Sequence, residues 1–332
     1  MTNLMRPLAA GVVSLACVAS LTACNRDSGE SATTVGYSTY TVSNPFFAGM
    51  QKGLDAGSSQ HGYQMVTTNA NGEPSQQVSD IENLLNRGAQ YLLLTPADGK
   101  AVTPALNAAE AKNVPVISIA DSVEADITST VNLDNVAAGQ MAAQQIVQFL
   151  NTVNGGPRGN VVNITGIIGT PSASDRNKGF LDEIGKYPDI KIVATQDGGY
   201  DTEKSNAAMN DILQANPKVD AVFNGNDAEA VGVSAAIEAA GRFKPVGAPG
   251  HIYVIGVDGS KPAIANIRAG IQDASVSQNP IKMAEKAIEL VSDLKAGKEV
   301  PKDVVYPAQL ITKANIDSPE VKAYGIWADE VQ

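Results

Sequence analysis

The sequence predicts an α/β protein built as two doubly wound parallel-sheet lobes, and three observations carry that expectation. Short β-type runs alternate with helical patterns from Val35 onward, several of those runs are apolar without a break, and the second half repeats the pattern of the first. Alternating strand and helix signals imply parallel sheets with helices on both faces. Tyr91-Leu92-Leu93-Leu94 and Ala221-Val222-Phe223 have the unbroken apolar character that such buried strands need. Tyr91 to Asp98 and Ala221 to Asp227 are both apolar strands ending in small polar residues and an acid, and Val116 to Asp121 pairs in the same way with Val254 to Asp258. Two similar halves set two groups of strand carboxyl ends in opposition. In open α/β sheets ligands bind outside those ends, so a cleft between the lobes is the expected site.

From its start, the chain carries Arg6 as the sole charge before Cys24, then an apolar and small-residue run from Leu8 to Leu21. A charged start, a short apolar stretch and small residues before the cut mark a secretory signal rather than a spanning helix. Leu21-Thr22-Ala23-Cys24 resembles the bacterial lipobox, which implies acylation of the Cys24 thiol and residues 1–23 as the cleaved leader. Cys17 falls in that leader, so the mature chain keeps one cysteine and has none for a disulfide, for catalysis or for metal. Residues 24–34 are polar and aperiodic, a flexible tether.

The remaining ~300 residues exceed one compact core and favour two lobes. Net charge is −11, one unit more negative without Arg6. That balance argues against nucleic acid, whose phosphates demand clustered Lys and Arg. The strand candidates of the first half are Val35 to Thr39, Gln64 to Thr67, Tyr91 to Leu94, Val116 to Ile119 and Ser129 to Leu133. Those of the second are Asn160 to Ile164, Lys191 to Thr195, Ala221 to Asn224, Tyr253 to Val257 and Ala274 to Ser277. A helix over Gln76 to Asn86 sets Val78, Ile81 and Leu85 on one face, with Gly88 to close it.

Between the first strand and a helix running to about His61 lies Ser43-Asn44-Pro45-Phe46-Phe47. Asn44 caps orphan N–H groups, and Pro45 in the first helical position gives up an N–H that had no partner. Successive helical residues are about 100° apart, so Phe46 and Phe47 cannot both point into the core, and at least one faces the cleft.

The strand ends carry Asn44, Thr95, Asp121, Arg176, Asn226, Asp258 and Gln278 as donors and acceptors, with Tyr40, Phe46, Phe47 and Tyr200 as flat apolar surface. Amides, carboxylates and an Arg fork suit hydroxyls, and rings suit the C–H faces of a sugar. Singly, such polar residues also serve as helix caps and turn formers. Enzyme signatures are weak. His61 and His251 sit in surface-type turns, no Gly-x-Ser-x-Gly elbow or metal-ligand spacing occurs, and no cofactor is expected. Gly166-Ile167-Ile168-Gly169-Thr170 lacks both phosphate-loop patterns and reads as a tight turn. Asp227 with Asp258 offers a general acid/base pair, and nothing in the sequence distinguishes that from hydroxyl binding.

Ser43 to Phe47, Leu92 to Asp98, Val114 to Ser118, Asp134 to Gly139, Arg176 to Phe180, Ala221 to Asp227, Val257 to Gly259 and Ser277 to Pro280 together resemble the ribose-binding-protein type of periplasmic solute-binding proteins that feed ABC sugar importers. The resemblance implies a type I periplasmic binding protein, with one lobe of 33–133 and 279–307, another of 134–278 and 308–332, and a three-crossing hinge. It implies an aromatic sandwich of Phe46, Phe47 and Tyr200, and hydroxyl ligands at Asn44, Arg176, Asn226, Asp258 and Gln278. It also implies a monomeric, periplasmic or extracytoplasmic protein that passes a small neutral carbohydrate to an ABC permease. Two departures fall in the first lobe: Ala120-Asp121 stands where ribose binders have Asp-Arg, and Thr95 where they have Asn. They leave a related pentose, hexose or sugar alcohol open. Competing readings are a receptor for a furanosyl signalling molecule and a periplasmic enzyme acting on a glycoside; a regulator would carry a helix-turn-helix where this chain has a leader.

Overall fold

The computed structural model describes residues 1–2 and 32–331. The expected cleavage site, the expected acylation site at Cys24 and the expected tether as far as residue 31 lie outside the described residues. The tether does not extend to residue 34. Thr33 is buried and its carbonyl accepts from the Gln64 N–H at 2.9 Å, while Thr34 opens the first strand. Both are β-branched and take sheet partners, which a reading by polarity misses.

The first half runs β1 (Thr34–Thr39), α1 (Pro45–His61), β2 (Gln64–Asn69), α2 (Pro74–Asn86), β3 (Tyr91–Thr95), α3 (Thr103–Ala111), β4 (Val116–Ile119) and β5 (Ser129–Leu133). The second runs α4 (Asn135–Asn154), β6 (Gly159–Thr165), α5 (Pro171–Ile184), β7 (Ile190–Asp197), α6 (Thr202–Ala215), β8 (Ala221–Asn224), α7 (Asp227–Ala239), β9 (Tyr253–Asp258), α8 (Lys261–Ala269) and β10 (Ala274–Ser277). Then follow α9 (Pro280–Lys295), β11 (Asp303–Tyr306), β12 (Gln309–Thr312), α10 (Pro319–Tyr324) and a 3₁₀ turn at Trp327–Asp329.

Two sheets form, ordered β11-β5-β4-β3-β1-β2 and β12-β10-β9-β8-β6-β7, so the halves repeat one topology. All pairings are parallel except β10 with β12. The chain passes between the sheets after β5, after β10 and between β11 and β12. The last crossing exchanges edge strands, as the parallel β11–β5 and antiparallel β12–β10 ladders record.

Period-two alternation divides each core. Leu93, Ile117 and Val131 face α1 and α9, while Leu92, Leu94 and Val116 face α2 and α3. In the second sheet Val161, Phe223 and Ile255 meet α4 and α5, and Val162, Val222 and Val254 meet α6 and α7. Each fully buried side chain of this size contributes roughly 1.5–3 kcal/mol. Helix α1 lies close on α9 because Gly53 has no side chain, and a Cβ there would stand 2.3 Å from the Ile281 carbonyl oxygen. No helix among the described residues is long and apolar enough to cross a membrane.

Candidate functional site

The strand carboxyl ends of the two sheets face each other across a cavity of about 340 Å³, counting its mouth. From the first half come Tyr40, Asn44, Phe46, Phe47, Ala120 and Asp121; from the second, Ser172, Arg176, Tyr200, Asn226, Asp258 and Gln278. Every residue expected at the site except Thr95 lines this space.

One wall is aromatic. The Phe47 ring stands edge-on to Tyr40, with centroids 5.0 Å apart at 82°, and to Phe46, at 5.4 Å and 88°. Both phenylalanines are buried and both reach the cavity. They do so because α1 begins at its edge, where Asn44 Oδ1 accepts from the Phe46 N–H at 2.9 Å and Pro45 opens the helix. Tyr200 stands on the other side, its hydroxyl 3.3 Å from Ser172 Oγ and its ring centroid 5.9 Å from the Arg176 guanidinium carbon. Gly166 makes room for that ring, since a Cβ there would come within 2.0 Å of it.

The polar wall centres on Arg176, which is buried. Its Nε donates to Asn135 Oδ1 and its Nη1 to the Gly225 carbonyl, both at 2.9 Å, and Nη1 lies 3.6 Å from Asp258 Oδ1. Gln278 Nε2 donates to the same Asp258 oxygen at 2.6 Å. Burial raises the Asp258 carboxyl to about 6, against the pull of Arg176 and Gln278. Burial also raises Asp121, although its Oδ1 accepts from the Ser172 N–H of the opposite half at 2.9 Å. Asn226 caps α7 in a reciprocal box with Glu229. Asn44 and Asn226 thus both act as caps through Oδ1, which leaves their amide NH₂ as the group able to donate to a ligand.

Backbone strain gathers here. Ala120 (φ 71°), Tyr200 (φ 58°) and Asp258 (φ 130°) are non-glycine residues at positive φ, and all three line the cavity. Such conformations cost roughly 1–3 kcal/mol each and persist where surrounding contacts over-determine them.

Thr95 lies elsewhere. It is fully buried in the first sheet, its Oγ1 3.0 Å from Tyr37 Oη and its carbonyl accepting from Gln77 Nε2. The neighbouring strand supplies a partner for the hydroxyl, and the cleft is left without it. Asp227 is fully buried and does not line the cavity; it accepts from the Ser260 N–H at 2.8 Å and Ser275 Oγ at 3.0 Å and so ties strand ends together. His251 is not a surface residue. It is buried, with Nδ1 2.7 Å from the Lys244 carbonyl and Nε2 2.8 Å from Asp273 Oδ1. Ser172, Asn135 and Gly166 complete the site and carry no signal of their own, because one contributes a backbone N–H, one holds Arg176 from behind and one is defined by absence of a side chain. No cluster of three metal-ligating side chains occurs among the described residues.

Residues 35–299 match the periplasmic binding protein domain family. The chain is 33% identical over 281 residues to the ribose import binding protein of Bacillus subtilis, with 84% of this chain and 87% of that one covered. It is 29% identical over 314 residues to the xylitol-binding protein of Mycolicibacterium smegmatis, with 93% and 85% covered. A solved carbohydrate transporter solute binding protein from Agrobacterium radiobacter, in complex with D-arabinose, superposes with a TM-score of 0.82 at 26% identity, covering 89% of this chain and 99% of that one.

Proposed function

This chain belongs to the periplasmic binding protein family, in its ribose-binding type, and from that premise we propose that it captures a small neutral carbohydrate, a pentose, hexose or sugar alcohol, and delivers it to an ABC permease. The observation that carries the reading is the buried Arg176–Asp258–Gln278 cluster facing the Tyr40–Phe47–Phe46 wall. A guanidinium, a carboxylate and an amide together donate and accept as hydroxyls do, and rings cover C–H faces. Two acids against one Arg disfavour an anionic ligand. Relatives named for ribose and xylitol, and a structure holding D-arabinose, support the class and leave the member open.

The lobes of this reading are 33–133 with 279–307 and 134–278 with 308–332, hinged near Asp134-Asn135 and Gln278-Asn279. Ligand favours the closed arrangement because both halves then contribute contacts. The family is extracytoplasmic; an acylated Cys24 would hold this monomeric member at the membrane, within reach of its permease. No catalytic step is assigned to it.

A thermal-shift screen over pentoses, hexoses and polyols tests the proposal. A ligand at about a hundred times its dissociation constant adds roughly 2.7 kcal/mol to the native state. A neutral polyhydroxyl compound should raise the melting temperature and be recovered unchanged by mass spectrometry. Stabilisation by amino acids or anions alone, or conversion of the bound sugar, overturns the reading.

A further inference from the structure

We propose that the C-terminal segment Trp327–Glu330 is a strap that positions Asp258 for its ligand and ties it to the opposite half of the cleft. The proposal rests on the reading of Asp258 as a ligand group. The segment lies beyond residues 35–299 that match the family.

Trp327 is the sole tryptophan of the chain and is fully buried, and its indole N–H donates to the Asp258 carbonyl at 2.8 Å. That carbonyl also accepts from the Gln278 N–H at 3.2 Å. One backbone oxygen therefore anchors both the carboxylate that pairs with Arg176 and the amide that donates to it. The anchor is needed, because Asp258 stands at φ 130° and Gly259 at φ 77°, a strained strand tip that holds its shape when its neighbours over-determine it.

The same indole is packed against the first half. Gly49 of α1 faces it so closely that a Cβ would stand 3.0 and 3.1 Å from two ring atoms. One turn earlier α1 carries Phe46 and Phe47, so the aromatic wall and the Asp258 anchor share a contact. Lys52 of α1 donates to the Glu330 carbonyl. On the other side Arg268 of α8 holds Asp329 through two bonds of 3.0 and 2.9 Å, and Lys261 reaches the Val331 carbonyl at 3.1 Å. The strap is thus stapled to α1 and α8 at once. Movement of α1 away from α8 pulls on the indole that fixes Asp258, which couples cleft opening to loss of ligand-site geometry.

Trp327→Phe keeps a ring against Gly49 and removes the donor; Arg268→Gln releases the strap from outside without touching the core. Hydrogen exchange of the ligand-free protein reads the anchor, and titration with D-ribose, D-allose and xylitol reads binding. We expect exchange over residues 256–260 and 278 to rise at least tenfold in Trp327→Phe and less in Arg268→Gln, with β1 to β5 unchanged, and the dissociation constant of any probe that binds wild type to rise at least fivefold. Uniformly faster exchange with an unchanged dissociation constant, or unchanged exchange at 256–260, overturns the strap. If none of the probes binds wild type, the sugar that the thermal-shift screen identifies takes their place in the titration, and the exchange result decides the anchor independently; if Trp327→Phe does not fold, Arg268→Gln decides it.

Discussion

Asp121 Oδ1 accepts from the Ser172 backbone N–H at 2.9 Å, so a carboxylate from the tip of β4 sits on the N-terminus of α5 in the other half. Burial raises this carboxyl from its ordinary range, and the Ser172 N–H and Arg176 work against the rise. A carboxylate at a helix N-terminus gains from unpaired N–H groups and the helix dipole. Asp121→Ala should therefore weaken sugar binding about tenfold, or about 1.4 kcal/mol, and enlarge the unliganded radius of gyration in solution scattering. Asp121→Asn keeps an acceptor and should lose less. Unchanged scattering and affinity in Asp121→Ala would remove this clasp from the closed state.

Arg176 answers Asn135, Gly225 and Asp258 together. Removing one member of a buried pair leaves its partner uncompensated, at roughly 3–5 kcal/mol. Arg176→Ala should bind sugar at least tenfold more weakly and melt lower than wild type. The loss should be larger at pH 8 than at pH 5, where Asp258, with its carboxyl near 6, is largely neutral. Equal melting losses at both pH values would contradict the assigned pairing.

Burial and the neighbouring Asp258 raise Asp227 to about 7, far above the 3.8 of an exposed carboxyl. Between those values the unfolded chain has lost the proton that the folded chain keeps, so stability falls as pH rises from about 4 to about 7. His251 adds the same sign. Burial opposes its charge, but Asp273 and the Lys244 carbonyl outweigh it and raise its pKa. Both ring partners are acceptors, which requires the doubly protonated ring; that stability is full below the unfolded value of about 6.5 and is lost as pH rises through the folded one. Thermal melts of unliganded protein should fall from pH 5 to pH 8, and Asp227→Asn and His251→Gln should each flatten the slope. A melting temperature that climbs over this range would refute the assignment.

The strand ends are legible in sequence because buried parallel strands need continuous apolar runs, and the polar residues that follow mark where each run stops. Strands β11 and β12 are not, since each has four residues with half-exposed patterns and gains identity only from the edge it joins. Phe46 and Phe47 limit the 100° argument: a helix starting at a cavity rim lets both rings be buried and both line the cavity. Thr95 and His251 fail for one reason. Which neighbour satisfies a polar side chain is a tertiary fact, and Tyr37 and Asp273 lie 58 and 22 residues away.

The proposed acylation of Cys24 makes a separate prediction. Cys24→Ala should move the protein from the membrane fraction to the soluble one, with the melting temperature of residues 32 onward unchanged. Retention of the mutant on membranes would refute acylation at this site.

The central claim is that the cavity takes a neutral polyhydroxyl compound, because Asp121 and Asp258 face a single Arg176. Calorimetric titration with matched pairs of one carbon skeleton, xylitol against xylonate, D-ribose against D-ribonate and D-allose against D-allonate, tests it most directly. The neutral member of the pair that binds should win by at least tenfold, about 1.4 kcal/mol; equal or tighter binding of the carboxylate would contradict the account.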